Sequence, residues 1–185
     1  MAIGVGAIVL VVGWFISVNN NLVSMDENVK GKWSQVENVY QRRADLIPNL
    51  VNTVKGYAKH EASVLEEVTK ARAQVGQIHV NGPNDLAKFD QAQGQLSSAL
   101  SRLMVVSERY PDLKANQNFL ALQSQLEGTE NRIAIERRRF NDAAQQYNTY
   151  IRMFPQSVVA NSRGFKEHLY FAADATAKTA PKVEF

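Results

Sequence analysis

A chain of 185 residues with 45% hydrophobic content has the length of a single domain and enough apolar material to fold, which excludes wholesale disorder. Its formal net charge is only +3, with acids and bases interleaved, which argues against a nucleic-acid binder that would gather its basic residues on one face. With no cysteine, disulfides, thiol nucleophiles and zinc–thiolate sites are excluded together.

The first ionisable side chain is Asp26. Before it, residues 2–18 read AIGVGAIVLVVGWFISV, with Ser17 as the one polar interruption. A membrane span needs about 20 residues, with about 17 as the lower limit. Trp14 and Phe15 stand near the end of the run, where aromatic side chains meet headgroups, and Asn19-Asn20-Asn21 marks the exit. A cleaved signal peptide would need a basic n-region and a small-x-small site. No Lys or Arg precedes this run, and Ser17-Val18-Asn19 is a poor cleavage sequence. A retained single-pass anchor over 1–21 is therefore expected, with the lipid bilayer as partner of 2–18. Lys30, Lys32, Arg42 and Arg43 follow the span, so the charge bias leans toward N-out, C-in.

Beyond the anchor, prolines at 83, 111, 155 and 181 fall where helical patterns stop. A first helical segment over 22–78 carries apolar residues at alternating spacings of three and four: Val29, Trp33, Val36, Tyr40, Ile47, Leu50, Val54, Tyr57, Val64, Val68, Ala71 and Val75. Arg43 and Glu61 interrupt that stripe, and Pro48 inside it predicts a kink near 44–47. A second helix is expected over 84–109, with Leu86, Phe89, Leu96, Leu100 and Leu103 inward. A third is expected over 116–153, with Phe119, Leu122, Leu126, Ile133, Phe140, Ala143, Tyr147 and Tyr150 inward, broken at Thr129 and Glu136. Short connections make neighbours antiparallel. The expected fold class is all-α: an N-terminal transmembrane helix continuing into an up-down bundle over 22–155, with three long helices plus a short fourth or a packed tail. The segment 156–185 is too apolar for a solvated tail and is expected to lie on the bundle.

The second helix, about 26 residues or 39 Å, is too short to cover a first segment of about 57 residues or 85 Å. Trp33, Val36 and Tyr40 then need another partner: either the chain folds back at Pro48, giving four helices, or this stretch packs against another subunit.

No motif specifies a reaction. His60, His79 and His168 are far apart, and none pairs at the helical spacing of zinc ligands. There is no phosphate loop and no G-x-S-x-G elbow. Catalytic, cofactor and metal residues are expected to be none. Arg43, Glu61 and Glu136 stand at seam positions, where a buried charge must be paired. They fit register-fixing ion pairs or a polar partner-binding site. The candidate interaction surface is Trp33, Val36, Tyr40, Arg42, Arg43, Asp45 and Pro48.

These same residues carry a resemblance. The runs Gln41-Arg42-Arg43-Ala44-Asp45-Leu46-Ile47-Pro48-Asn49-Leu50-Val51, Val54-Lys55-Gly56-Tyr57, Tyr110-Pro111-Asp112-Leu113 and Glu127-Gly128-Thr129-Glu130-Asn131-Arg132 resemble the signatures of the LemA family. So do Tyr147-Asn148, Phe154-Pro155, Gly164-Phe165 and the ending Pro181-Lys182-Val183-Glu184-Phe185, while Lys166-Glu167-His168-Leu169 departs from the family's proline-containing run. The resemblance covers essentially the whole chain. It implies a bacterial inner-membrane protein with a short span, a helical bundle and no accepted catalytic residues. It also implies associations with envelope stress, membrane proteolysis and membrane-organelle formation. The leading expectation is a self-associating membrane scaffold, not an enzyme, forming a homo-oligomer. The alternatives are an adaptor for a membrane-protein partner such as a protease, and a small-molecule or peptide binder using a cavity between helices.

Overall fold

The computed structural model describes residues 2–80 and 83–172. Six helices follow in order: α1 Ala2–Tyr57, α2 Ala62–Gly76, α3 Pro83–Ser107, α4 Pro111–Lys114, α5 Gln117–Arg152 and α6 Gln156–Arg163. No strand occurs among the described residues, so the all-α expectation holds. The second and third expected helices correspond to α3 and α5 within two residues at each end. Val183 and Phe185, expected to lie on the bundle, fall outside the described residues.

The first expected segment is corrected. It is broken at 58–61, not at Pro48, and α1 runs unbroken through the proline for 56 residues, about 84 Å at 1.5 Å per residue. Proline removes one helical hydrogen bond, the one that Ala44 O would accept. That carbonyl instead accepts from Arg72 Nε of α2 at 2.7 Å. Pro48 itself is exposed. The true reversal is set at 58–61, where Ala58 is buried beside the turn and Glu61 N donates to Ala58 O.

Cross-links between helices fix the directions. Arg72 lies opposite Ala44, Arg102 Nη1 meets Glu67 Oε1 at 2.6 Å, and Arg109 Nη2 meets Glu61 Oε1 at 2.9 Å. Arg43 meets Glu130, and Tyr57 Oη accepts from Asn116 Nδ2 at 2.8 Å. Thus α1, α2, α3 and α5 form an up-down-up-down four-helix bundle. Asn116 caps α5 by accepting from Phe119 N at 3.0 Å. Pro111 opens α4, and Gly164, at φ 75°, closes α6 in the left-handed conformation glycine allows.

The expected uncovered seam is also corrected. The long partner of α1 is α5, continued by α6, rather than α3. Val18, Leu22, Val29 and Val36 are all buried within the chain. Trp33 is enclosed by Phe89, Phe140 and Phe171, with ring centroids at 6.0, 5.5 and 5.8 Å. The helix-length comparison failed because it measured the first helix against its neighbour in sequence, whereas the partner in space is a later helix. Residues 5 and 8–12 of α1, by contrast, expose Val and Ile and Leu side chains on every side. A helix apolar all round and uncovered by protein is one candidate membrane span, at the N-terminal end of α1.

The Arg72–Ala44 contact predicts a specific coupling. Arg72→Met should cost about 1–2 kcal/mol, the range for a carbonyl left without its donor in a partly buried setting. In a Pro48→Ala background, a new backbone N–H at position 48 can donate to Ala44 O, so the same change should cost measurably less. Denaturant unfolding of the four proteins of this double-mutant cycle checks it, and equal costs in both backgrounds would contradict it.

Candidate functional site: a polar cleft over a buried arginine

Arg43 is the largest side chain sealed in the core, with 1% of its surface exposed. The heptad-like stripe of α1 aims it inward between Tyr40 and Ile47, and two further helices supply its partners. Its Nη1 donates to Ser97 Oγ at 3.0 Å and to Glu130 Oε1 at 2.5 Å, and its Nη2 donates to Gln93 Oε1. Its guanidinium carbon lies 5.3 Å from the Tyr40 ring centre. Both sides of the charge problem are met, because a buried guanidinium needs a counter-ion and hydrogen bonds together.

Above this layer lies a cleft of about 750 Å³, lined by residues of α1, α3 and α5 and by Phe171 and Ala172. Beneath the cleft's lining, Tyr40 Oη, Arg43 Nε and Gln93 Nε2 are sealed atoms with no acceptor within the described residues, and Arg137 hydrogen-bonds to the Tyr40 hydroxyl. Burial pushes the Tyr40 phenol above its ordinary value, and the positive charges of Arg137 and Arg43 only partly offset this. The hydroxyl therefore stays protonated and remains a donor. Around the rim, Arg137 Nη1 pairs with Asp90 Oδ1 at 3.0 Å, and Arg138 and Asp142 also line the cleft. Cationic and anionic side chains balance, which disfavours phosphate-rich ligands and suits neutral acceptors such as peptide carbonyls.

One wall of the cleft is itself an extended segment. After α6, residues 165–172 run back along α5, held by two asparagines. Asn148 donates to His168 O at 2.7 Å and accepts from His168 N at 2.9 Å. Asn141 makes the same two-point contact with Phe171, at 3.1 and 2.9 Å. Two helical turns, about 10.5 Å, match three extended residues at about 3.4 Å each, so the side-chain amides act as a ladder for a peptide backbone. His168 Nε2 lies 2.7 Å from Asp26 Oδ1 of α1, and Asp26 also pairs with Lys30 at 2.8 Å. Burial alone would push the Asp26 carboxyl up, but the hydrogen bonds from Lys30 and His168 outweigh it and hold it below the usual range.

The sequence-derived surface residues divide into two sets. Val36, Tyr40 and Arg43 are buried, and Trp33 is half-buried in the aromatic cluster; Arg42, Asp45 and Pro48 are exposed. Of the seven, Tyr40 and Arg43 line the cleft. Glu61 accepts from Tyr110 Oη at 3.2 Å, and Glu136 pairs with Arg139 at 2.7 Å. The reading from sequence missed Gln93, Ser97, Glu130, Asn141 and Asn148. For the asparagines a signal existed: each directly follows an aromatic seam residue, Phe140 or Tyr147, at one heptad's separation. Among the described residues, no three His, Asp or Glu side chains come together to hold a metal.

A helical bundle continuous with a candidate membrane span is a membrane-associated all-α protein. The chain belongs to the LemA family, whose model matches residues 32–185. It is similar to the magnetosome protein MamQ 2 of Paramagnetospirillum magneticum, 29% identical over 92% of this chain and 71% of the relative. The magnetosome protein MamQ of Magnetospirillum gryphiswaldense is 28% identical over the same shares. Protein LemA of Metamycoplasma hominis is 24% identical over 79% of this chain and 65% of its own length.

Replacing Arg43 tests its structural role. Arg43→Met should destabilise the bundle by about 1–3 kcal/mol, since buried Gln93 loses its donor while the half-exposed Glu130 carboxylate can be solvated. Glu130→Gln, which leaves the buried Arg43 charge without its counter-ion, should cost at least as much. Chemical unfolding followed by far-UV circular dichroism reads both, and an Arg43→Met protein as stable as the parent would contradict the assignment.

Proposed function

We propose that this protein is a membrane-anchored, non-enzymatic scaffold that holds an extended peptide segment of a partner protein in the cleft over Arg43. The observation that carries the reading is the charge-balanced cleft of about 750 Å³, one wall of which, at Phe171 and Ala172, is already an extended segment of this chain. The Asn141–Asn148 ladder supports a backbone-reading mode, because it already binds an extended segment of this chain in that way.

The anchor sets where the scaffold works. Because α1 is one helix from span to core, bundle and membrane segment turn together, and the cleft is presented at a fixed height above the bilayer. Lys30, Lys32, Arg42 and Arg43 after the span favour the bacterial inner membrane's cytoplasmic side. Self-association through the Trp33–Val36–Tyr40 seam has no part in this proposal, since those side chains are used inside the chain. An adaptor role is the same reading with a particular partner. Arg42, Asp45 and Pro48 form an outward face of α1 that remains free to contribute to it.

The test uses the full chain in detergent micelles and a fluorescein-labelled, uncharged octapeptide of alternating serine and alanine, read by anisotropy. Saturable binding is expected. Asn141→Ala, which releases the Phe171 wall of the cleft, should weaken it about tenfold, the equivalent of about 1.4 kcal/mol. Gly94→Trp should abolish it by filling the cleft, because a Cβ at Gly94 meets no heavy atom within 4 Å and the ring can be directed into the cleft that Gly94 lines. Absence of saturable binding, or equal binding by all three proteins, would overturn the proposal.

A further inference from the structure

The membrane-proximal end of the bundle exposes an apolar patch that the four-helix core does not use. Phe154 is 84% exposed, Val158 57% and Met153 53%. They sit at the α5–α6 junction, on either side of Pro155. On the inner side of α6, Val159 and Ala160 are buried. Val158 is the exposed apolar residue of α6 itself, and Met153 and Phe154 extend the patch just before it.

Their height follows from the register of α5 on α1. Arg43 pairs with Glu130, Trp33 packs on Phe140, and Asp26 and Asn148 meet at His168. Each step down α1 is matched by an equal step up α5, as two antiparallel helices of equal rise require. Extended by the same rule, Phe154 stands opposite about residue 19 or 20, where the apolar run gives way to the three asparagines. From there α6 continues toward the bilayer, because the Arg163 guanidinium lies 5.9 Å from the ring centre of Phe15, a residue of the span.

We propose that Met153, Phe154 and Val158 are a second membrane contact, in which the α5–α6 junction and α6 lie in the headgroup–acyl boundary beside the anchor. The chemistry of the flanks agrees. Arg152 and Arg163 are exposed at the two ends of this stretch, where their guanidinium groups reach lipid phosphates while the apolar side chains enter the acyl region. By this register the patch stands at the level where the exposed apolar surface of the span ends, so one occupant, the bilayer, is placed to cover both. Two attachment points fix the tilt of the bundle as well as its height, which a single helix could not do. This inference goes beyond the scaffold reading and stands without it, since it concerns lipid and not the cleft.

Because the chain has no native cysteine, single spin labels can be placed cleanly. The full chain is reconstituted into phosphatidylcholine–phosphatidylglycerol vesicles with labels at Phe154→Cys, Val158→Cys or Lys59→Cys. Position 59 is exposed at the far tip of the bundle and serves as the aqueous reference. Collision with oxygen relative to a water-soluble nickel chelate should be several-fold higher at 154 and 158 than at 59. Nickel accessibility equal to that at 59 would overturn the proposal. So would protection from both reagents, the mark of a protein contact. All three sites are exposed, so the labels leave the fold intact, and far-UV circular dichroism of each labelled protein checks this.

Discussion

The carbonyl of Ala44 and the side chain of Arg72 hold the architecture together at its most vulnerable point. A proline in the middle of a 56-residue helix removes a hydrogen bond from the element on which the rest of the structure is built. Arg72 supplies the missing donor from the next helix, and in doing so ties α2 against α1 in antiparallel register. Because α1 stays whole at Pro48, the chain reverses only at 58–61, and the returning helix has the right phase to meet it. An intact α1 also gives α5 a partner long enough for its whole length. That pairing covers the seam from Val18 to Val54.

With α1 and α5 in register, the polar layer follows. Arg43 can be buried only because α3 delivers Gln93 and Ser97, and α5 delivers Glu130, at one height. The layer works as a register pin, because a slip of either helix would strand the charge at a cost of several kcal/mol. Directly above it the helices do not close fully, and the extended segment over 165–172 forms the remaining wall of the cleft. The same side chains thus specify the fold and line the site. The functional reading follows from the cleft that they line.

The helix pattern was largely legible in the sequence. The apolar periodicity located α3 and α5 closely, and the prolines at 83, 111 and 155 marked true boundaries. Arg43 was legible as a charge on an apolar stripe, although its partners were not, since they lie 50 to 87 residues away on other helices. Pro48 does not end the helix, and the Ala44 carbonyl that it leaves free accepts a hydrogen bond from Arg72 of the next helix, a contact that no local pattern shows. The supposed excess seam misled for a related reason. Periodicity reveals which face of a helix is apolar, not which distant helix will cover it. The extended segment over 165–172 carries little periodic signal because it is held by asparagine side chains rather than by its own pattern.

The family match and the fold point the same way, toward a membrane-associated bundle whose rigidity is continuous with its anchor. The most direct measurement is a pulsed electron–electron distance between spin labels at Gln35→Cys and Lys55→Cys, both exposed and on either side of the 44–48 stretch, in bilayer nanodiscs. An unbroken α1 predicts one narrow distribution centred at about 30 Å between the labelled backbone positions, from about 1.5 Å per residue. A distribution that is much shorter, or broad, would show that the helix bends at Pro48 and would contradict the account.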